Sequence, residues 1–324
     1  MVFEDGVSQA DFDGKRFFVP DHRGEASFGD LMKWQFGGRR ARWPARVANQ
    51  PYSPPQQRVD GNTLRATWIG HSTMLVQVAG LNILTDPFLS ERASPVAFAG
   101  PRRVRAAALQ AHELPPLDII LLSHNHYDHM DIPTLRQLAR HHQARIVTPL
   151  GNGRYVKAAV MGTHIDELNW LESIAEGNWR ITAMPALHWS KRRFSDANRA
   201  LWGAFTVETP AGLIYFAGDT GFGDGATFKD VRKRFGRPRL SLLPIGAYAP
   251  RWFMKAQHMN PEEAVEAHAL LESGTSLAIH HGTIQLTDEP IDEPKELLAA
   301  ALVDRKIEPE RFLAPEVGQM VDIP

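Results

Sequence analysis

The run Ser123-His124-Asn125-His126-Tyr127-Asp128-His129-Met130-Asp131 follows directly on the apolar stretch Ile119-Ile120-Leu121-Leu122. A short, continuous apolar run suits a buried strand. Whatever this chain folds into must therefore carry three imidazoles and a carboxylate, within six residues, at the end of such a strand. Neutral imidazole and carboxylate are the usual ligands of Zn²⁺ and its neighbours. His124 and His126, two apart in an extended turn, point the same way and can share one ion. Asp128 and His129 follow as the chain curls and face a second point a few ångström away. The spacing predicts a split site for about two metal ions, the arrangement used for assisted hydrolysis. A loop whose histidines only hydrogen-bond would leave that many partly desolvated imidazoles in need of partners.

Other candidate ligands stand where apolar runs end. Asp86 follows Ile83-Leu84-Thr85, His188 follows the run ending at Met184, Asp219 follows Leu213-Ile214-Tyr215-Phe216-Ala217, and His280 follows Leu277-Ala278-Ile279. If these strands run together, their ends meet on one rim, where sheets commonly assemble sites.

Composition bounds the rest. A chain of 324 residues is long enough for one large α/β domain or two small ones. Its net charge of -1 offers no global field for nucleic acid or an anionic membrane, so no nucleic-acid partner is expected. With no Cys, disulfides and thiolate ligands are excluded. Residues 1–15 have no apolar core of a signal peptide, and no apolar run approaches the ~20 residues of a membrane span. The expectation is a cytoplasmic protein that touches a membrane at most peripherally.

Residues 1–60 are rich in Arg, Pro and Gly, with Phe17, Phe18, Trp34, Phe36 and Trp43 but little periodicity. They read as an arm packed on a main body of residues 61–324 rather than as a domain with its own core. From Thr63, Leu64, Ala66 and Trp68 alternate with polar residues as in a half-buried strand, and residues 74–78 and 81–85 form a hairpin about Ala79-Gly80. A helix begins near Ile132, with Pro133 in its first turn. Strands are expected over 145–148, 180–184, 203–208, 213–217, 240–245 and 276–279, with a hairpin turn at Thr209-Pro210-Ala211-Gly212. Asn260-Pro261-Glu262-Glu263 carries a capping box. Many strands with helices between them imply two sheets flanked by helices.

The order His-x-His-x-Asp-His, a later His, Asp219 within Phe216-Ala217-Gly218-Asp219-Thr220-Gly221, and a last His resembles the metallo-β-lactamase fold superfamily of metal-dependent hydrolases. Thr67-Trp68-Ile69-Gly70-His71-Ser72-Thr73, Leu84-Thr85-Asp86-Pro87, Ser94-Pro95 with Gly100-Pro101, Pro244-Ile245-Gly246-Ala247-Tyr248, Pro250-Arg251-Trp252-Phe253-Met254-Lys255 and Ala278-Ile279-His280 are similar to the N-acyl-phosphatidylethanolamine phospholipase D family. The resemblance implies a four-layer αββα sandwich of α/β class, with two mixed sheets and a dinuclear zinc centre. His124, His126 and His188 would hold one Zn²⁺, Asp128, His129 and His280 the other, and Asp219 would bridge them. A hydroxide between the ions would attack phosphorus in line. Iron or manganese fits the same donors.

Roles outside the ligands divide as follows. Asp86 is expected to orient a ligand imidazole, or to end its strand as a turn residue. The resemblance places the last ligand at His280, before a position that is usually aromatic. His281 there is a hydrogen-bonding neighbour of a ligand, a leaving-group acid or a substitute packing residue, the last being preferred. His258 binds substrate phosphate or packs where its helix begins. His71 reads as a structural histidine; His22, His112, His141, His142, His164 and His268 carry no assignment. Lys191 and Arg192, in a basic run after His188, either meet a phosphate or form a solvated charged face, and Arg251 and Trp252 border an apolar groove for acyl chains or pack in the core, the commoner fate of an aromatic. The sum is a dinuclear-zinc phosphodiesterase of phospholipase D type acting on a phospholipid or another phosphodiester. A lactonase, a nuclease and a non-catalytic metal-binding protein are the rival readings, and a homodimer is compatible with each.

Overall fold

The computed structural model describes residues 10–19, 28–38, 40–193 and 195–324. Parts of the arm, His22 among them, lie outside the described residues.

Two seven-stranded mixed sheets pack face to face. In the first the order is Met320–Ile323, Leu64–Gly70, Thr73–Val78, Leu81–Thr85, Ile119–Leu121, Arg145–Pro149 and Ile165–Leu168. In the second it is Phe312–Leu313, Thr275–Ile279, Leu240–Pro244, Gly212–Phe216, Ala204–Thr209, Trp179–Met184 and Ser173–Glu176. Between the sheets lies a buried layer that joins Trp68, Val76 and Ile83 to Phe205, Phe216 and Leu277. On the outer face of the first sheet, Leu135 and Leu138 of the helix Ile132–His141 cover Leu75, Leu84 and Ile120. On the outer face of the second, the helices Ala226–Phe235, Pro261–Leu271 and Glu293–Asp304 bury Phe228, Val265 and Leu298 against Tyr215 and Leu243. The layers are αββα, as expected.

The local rules behind the elements are visible. Asn260 caps its helix with the reciprocal Glu263 bonds of a capping box, with Pro261 in the first turn. The Ala79-Gly80 hairpin turns through positive φ at both residues. One expectation changes: the strand Leu64–Gly70 is buried at all positions but the partly exposed Arg65, not half-buried. Alternation there separates two apolar surroundings, since Trp68 enters the inter-sheet core while Ile69 faces the outer helical layer.

The described parts of the arm lie against the body. The ribbon Asp11–Phe12 with Phe17–Phe18 places Phe17 among Trp170, Leu187 and Trp202. On the helix Phe28–Gly37, Trp34 stacks on Phe253 at 5.0 Å and donates its indole N–H to Asp288 at 3.0 Å. Trp43 donates to the Glu289 carbonyl at 2.8 Å. Among the described residues no helix is long and apolar enough to cross a membrane.

Parallel pairing sets the position of the site. Leu81–Thr85 runs parallel to Ile119–Leu121, and Gly212–Phe216, Leu240–Pro244 and Thr275–Ile279 run parallel to one another. Trp179–Met184, two antiparallel pairings away from Gly212–Phe216, points the same way. The strand ends that carry Asp86, His124, His188, Asp219 and His280 therefore converge on one rim, as the sheets require of ligand-bearing ends.

Candidate metal centre

Close approach of these ends needs glycine at two places. Gly218 has φ +58, and a Cβ there would lie 2.6 Å from Cβ of Ser123, so only glycine lets the Asp219 turn close on the loop that carries His124. At Gly246 a Cβ would lie 2.1 Å from the His280 carbonyl. His71, Asp86, Ala247 and His280 hold positive φ without being glycine. Such conformations persist where the surroundings over-determine them, and they gather at functional sites.

The side chains form two adjoining groups. His124 Nε2 lies 2.8 Å from His126 Nδ1, and His188 Nε2 lies 3.3 Å from the same atom. The second group is Asp128, His129 and His280: Asp128 Oδ2 stands 3.4 Å from His129 Nε2 and 3.5 Å from His280 Nε2. Asp219 lies between, its Oδ2 3.1 Å from His129 Nε2, 3.2 Å from His280 Nε2 and 3.8 Å from His188 Nε2. Donor atoms sharing a zinc ion at about 2.0–2.1 Å in a tetrahedron stand roughly 3.3 Å apart. The observed separations fit that geometry. Moreover, His129 Nε2 and His280 Nε2, each facing Asp128 Oδ2 and Asp219 Oδ2, are buried and make no hydrogen bond. Buried polar atoms rarely stay unpaired, and here they converge on shared centres, so the donor set fits metal ions.

Electrostatics agrees. Burial, aided by the neighbouring imidazoles, pushes His126 down to about 3. Burial likewise takes His188 down to about 4 and lowers His124 and His258 well below the ordinary histidine value. These rings are neutral, with lone pairs available to an ion. Burial opposes charge on His280 too, but Asp219 and Asp128 outweigh it and push His280 up to about 9. Against the same burial, His129 is raised by Asp219, Asp128 and Asp86. Burial also opposes ionisation of Asp128 and Asp219, and their histidine neighbours overcome it and hold both carboxyls well below the usual range.

Asp86 is fully buried and accepts the Nδ1–H of His129 at 2.6 Å, as well as the backbone N–H and hydroxyl of Ser123. Ser123 in turn bonds His124 Nδ1 at 2.9 Å. One carboxylate thus aims a histidine in each group, the usual way a ligand ring is oriented. His258 is buried beside the cluster, its unpartnered Nδ1 4.0 Å from Asp219 Oδ2. His281 makes no hydrogen bond to a ligand; its ring stacks on Trp68 at 4.7 Å, as a packing residue would.

The centre opens into a cleft of about 450 Å³ lined by Leu31, Trp34, Trp189, Lys191, Phe253 and Gln257 besides the histidines. Past Tyr127, Trp189 and Lys191 it meets a groove of about 600 Å³ that adds Pro95, Arg192 and Arg193. Of the four residues expected on the substrate side, Lys191 lines both spaces. Arg192 reaches only the groove, and its guanidinium is engaged by the carbonyls of Asn125 at 2.9 Å and Met130 at 2.8 Å while lying over the Tyr127 ring. Arg192 therefore braces, through Nη1, the loop that carries the candidate ligands while it lines the groove, so its place on the substrate side stays a proposal. Arg251 is committed as well, to the His258 carbonyl and Glu263. Trp252 is half-exposed and borders a separate groove beside Lys33. Sequence reading missed Leu31, Trp34 and Gln257. Nothing in the aperiodic arm links Trp34 to a site far along the chain, whereas Gln257, adjacent to His258, could have been marked by adjacency.

Residues 81–281 match the family model described as a beta-lactamase superfamily domain. N-acyl-phosphatidylethanolamine-hydrolyzing phospholipase D 1 of Caenorhabditis elegans is 38% identical over 271 residues, 79% of this chain and 75% of that protein. The mitochondrial N-acyl-phosphatidylethanolamine-hydrolyzing phospholipase D of Saccharomyces cerevisiae is 36% identical over 78% of this chain, which spans about half (54%) of that protein. Among solved structures, a metallo hydrolase from the archaeon Ignicoccus hospitalis superposes with a TM-score of 0.59 at 21% identity, over 81% of this chain and 99% of that one. The chain belongs to the beta-lactamase superfamily of metal-dependent hydrolases, within the family that holds the N-acyl-phosphatidylethanolamine-hydrolysing phospholipases D.

Proposed function

We propose that this enzyme is a dinuclear-zinc phosphodiesterase that cleaves N-acyl-phosphatidylethanolamine or a related glycerophospholipid on the headgroup side. The observation that carries the reading is the pair of donor groups sharing Asp219, His124 with His126 and His188 on one side and Asp128 with His129 and His280 on the other. The names of the two phospholipase D relatives, and a cleft walled by Trp34, Trp189 and Phe253, support a lipid phosphodiester over a lactone or a nucleic acid.

When bound, two zinc ions supply a water deprotonated near neutral pH and a positive field for charge building on phosphate oxygens. The residues of the chain do the rest. His258, neutral and facing the cleft, donates a hydrogen bond to a non-bridging phosphate oxygen. Lys191 sets its ammonium at the mouth, where the phosphate arrives. Trp189 and Phe253 exclude water along the acyl chains. Hydrolysis would join the oxygen of the attacking hydroxide to phosphorus and break the bond from phosphorus to the headgroup oxygen; the remaining proton of that hydroxide would end on the headgroup oxygen, giving phosphatidic acid and the headgroup alcohol. Asp128 and Asp219 stay ionised throughout.

The reading includes the arm, residues 1–60, as part of one catalytic unit, since Leu31 and Trp34 wall the cleft. It also places the enzyme in the cytoplasm with peripheral contact to the inner face of a membrane. Segments that border the cleft and groove carry exposed apolar side chains: Phe36 on the arm helix, Trp252, and Phe98, which is 84% exposed. The test is mass spectrometry of products from a phospholipid panel, with and without chelator. Phosphatidic acid from N-acyl-phosphatidylethanolamine is expected; hydrolysis of acyl-homoserine lactones with no phosphodiester turnover would replace this reading with a lactonase.

A further inference from the structure

The resemblance assigns His71 no metal, yet its ring stands with Asp128, His129 and His280 close enough to share the same point. Its Nε2 lies 3.0 Å from Asp128 Oδ2, with both side chains buried. An ionised carboxylate only accepts, so this nitrogen carries the proton and donates it. The His71 backbone carbonyl accepts the His280 N–H at 3.1 Å and the Trp68 indole N–H at 2.8 Å, and its own N–H donates to Thr283 Oγ1 at 3.0 Å. Residue 71 is thus a strut between the two sheets. It turns, with φ +57, out of the strand Leu64–Gly70 in one sheet, and grips the residue that follows Thr275–Ile279 in the other.

We propose that His71 is a positioning residue for the second metal ion: its Nε2–H fixes the Asp128 carboxylate, while its backbone fixes His280. Asp128 Oδ2 has two lone pairs. One meets the His71 N–H, which leaves the other directed at the point that His129 Nε2 and His280 Nε2 also face. Without that donor the carboxylate is free to rotate and its oxygen loses the aim that the ion needs. Partners of this kind are worth 10- to 100-fold in metal affinity (order of magnitude). The inference rests on the dinuclear reading of the site.

The test compares His71→Met with His71→Gln, two near-isosteric changes of which only Gln retains a donor near the Nε2 position. Zinc stoichiometry and affinity are measured by dialysis against buffered free zinc, with circular dichroism as the check on folding. The Met chain is expected to keep one tight ion and bind the second about 10- to 100-fold more weakly, and the Gln chain to stay within about threefold of wild type. Wild-type affinity for both ions in the Met chain overturns the inference. A Gln chain as weak as Met overturns it too, because the imidazole would then be acting as a ligand. Wild type binding fewer than two ions sinks the dinuclear reading itself. If the Met chain does not fold, ¹⁵N spectra of the zinc-loaded wild type decide. His71 Nε2 is expected to be protonated and free of metal, and a metal-bound Nε2 refutes positioning.

Discussion

Asp86 Oδ2 and His129 Nδ1 are 2.6 Å apart in the floor of the site, and neither side chain touches solvent. The same carboxylate reaches the other donor group through Ser123, so one residue following Leu81–Thr85 orients a candidate ligand in each of the two groups. Replacing it with Asn keeps the shape and removes the negative charge that makes His129 a strong donor. Asp86→Asn is expected to weaken zinc binding about 10- to 100-fold. Competition with a chromophoric chelator measures this, and unchanged affinity would contradict the assignment.

Asp219 is the atom source common to both groups, and His126 Nδ1 is shared by His124 and His188. His126→Ala and Asp219→Asn are each expected to abolish turnover of bis(p-nitrophenyl) phosphate and to lower bound metal. Elemental analysis beside the rate assay checks it; wild-type metal content with wild-type rate in both chains refutes the ligand roles.

Metal uptake carries a pH dependence with a definite sign. In the ion-free protein the carboxylates push His280 up to about 9 and raise His129. A ligand imidazole must be neutral, so below pH 9 an ion has to displace the proton on His280. Zinc affinity is therefore expected to rise from pH 6 to pH 8 by about tenfold per unit for each proton displaced. Competition titrations across that range test this, and a flat profile would refute it.

Arg192 bonds two carbonyls of the ligand-bearing loop, and Arg193 beside it has no such bond among the contacts described. Truncation of the first leaves two carbonyls without their charged partner. Arg192→Ala is expected to cost about 1.5–3 kcal/mol of stability, and Arg193→Ala roughly 0.5 kcal/mol or less. Urea unfolding with zinc held constant compares them; equal midpoints would count against a structural role for Arg192.

Phe98 and Phe36 stand in water on segments that border the cleft and groove. If they meet a lipid surface, Phe98→Asp should reduce sedimentation with anionic liposomes at low salt while turnover of bis(p-nitrophenyl) phosphate is unchanged. Wild-type protein that fails to sediment at all removes the membrane contact.

Much of this protein was legible from sequence because its signals are local. Apolar runs with a strand's length, and a His or Asp just after them, mark both the strands and the side chains brought together at the rim, since a strand end is a fixed place in any sheet. Asn260 and Glu263 announce their helix for the same reason: a capping box closes within four residues. The edge strands Ile165–Leu168 and Ser173–Glu176 escaped, because partly exposed edges carry little hydrophobic pattern. The arm was expected on the body, but its part in the cleft escaped; Trp34 is fixed there by stacking on Phe253 and bonding Asp288, both more than two hundred residues later. So the chain alone determined which residues are candidates to bind metal and in what order they come. Tertiary structure decided which nitrogen faces which oxygen, that Arg192 serves the loop, that His281 packs, and that His71 grips Asp128. Those outcomes depend on how two sheets pack against each other, and no stretch of sequence encodes that distance by itself.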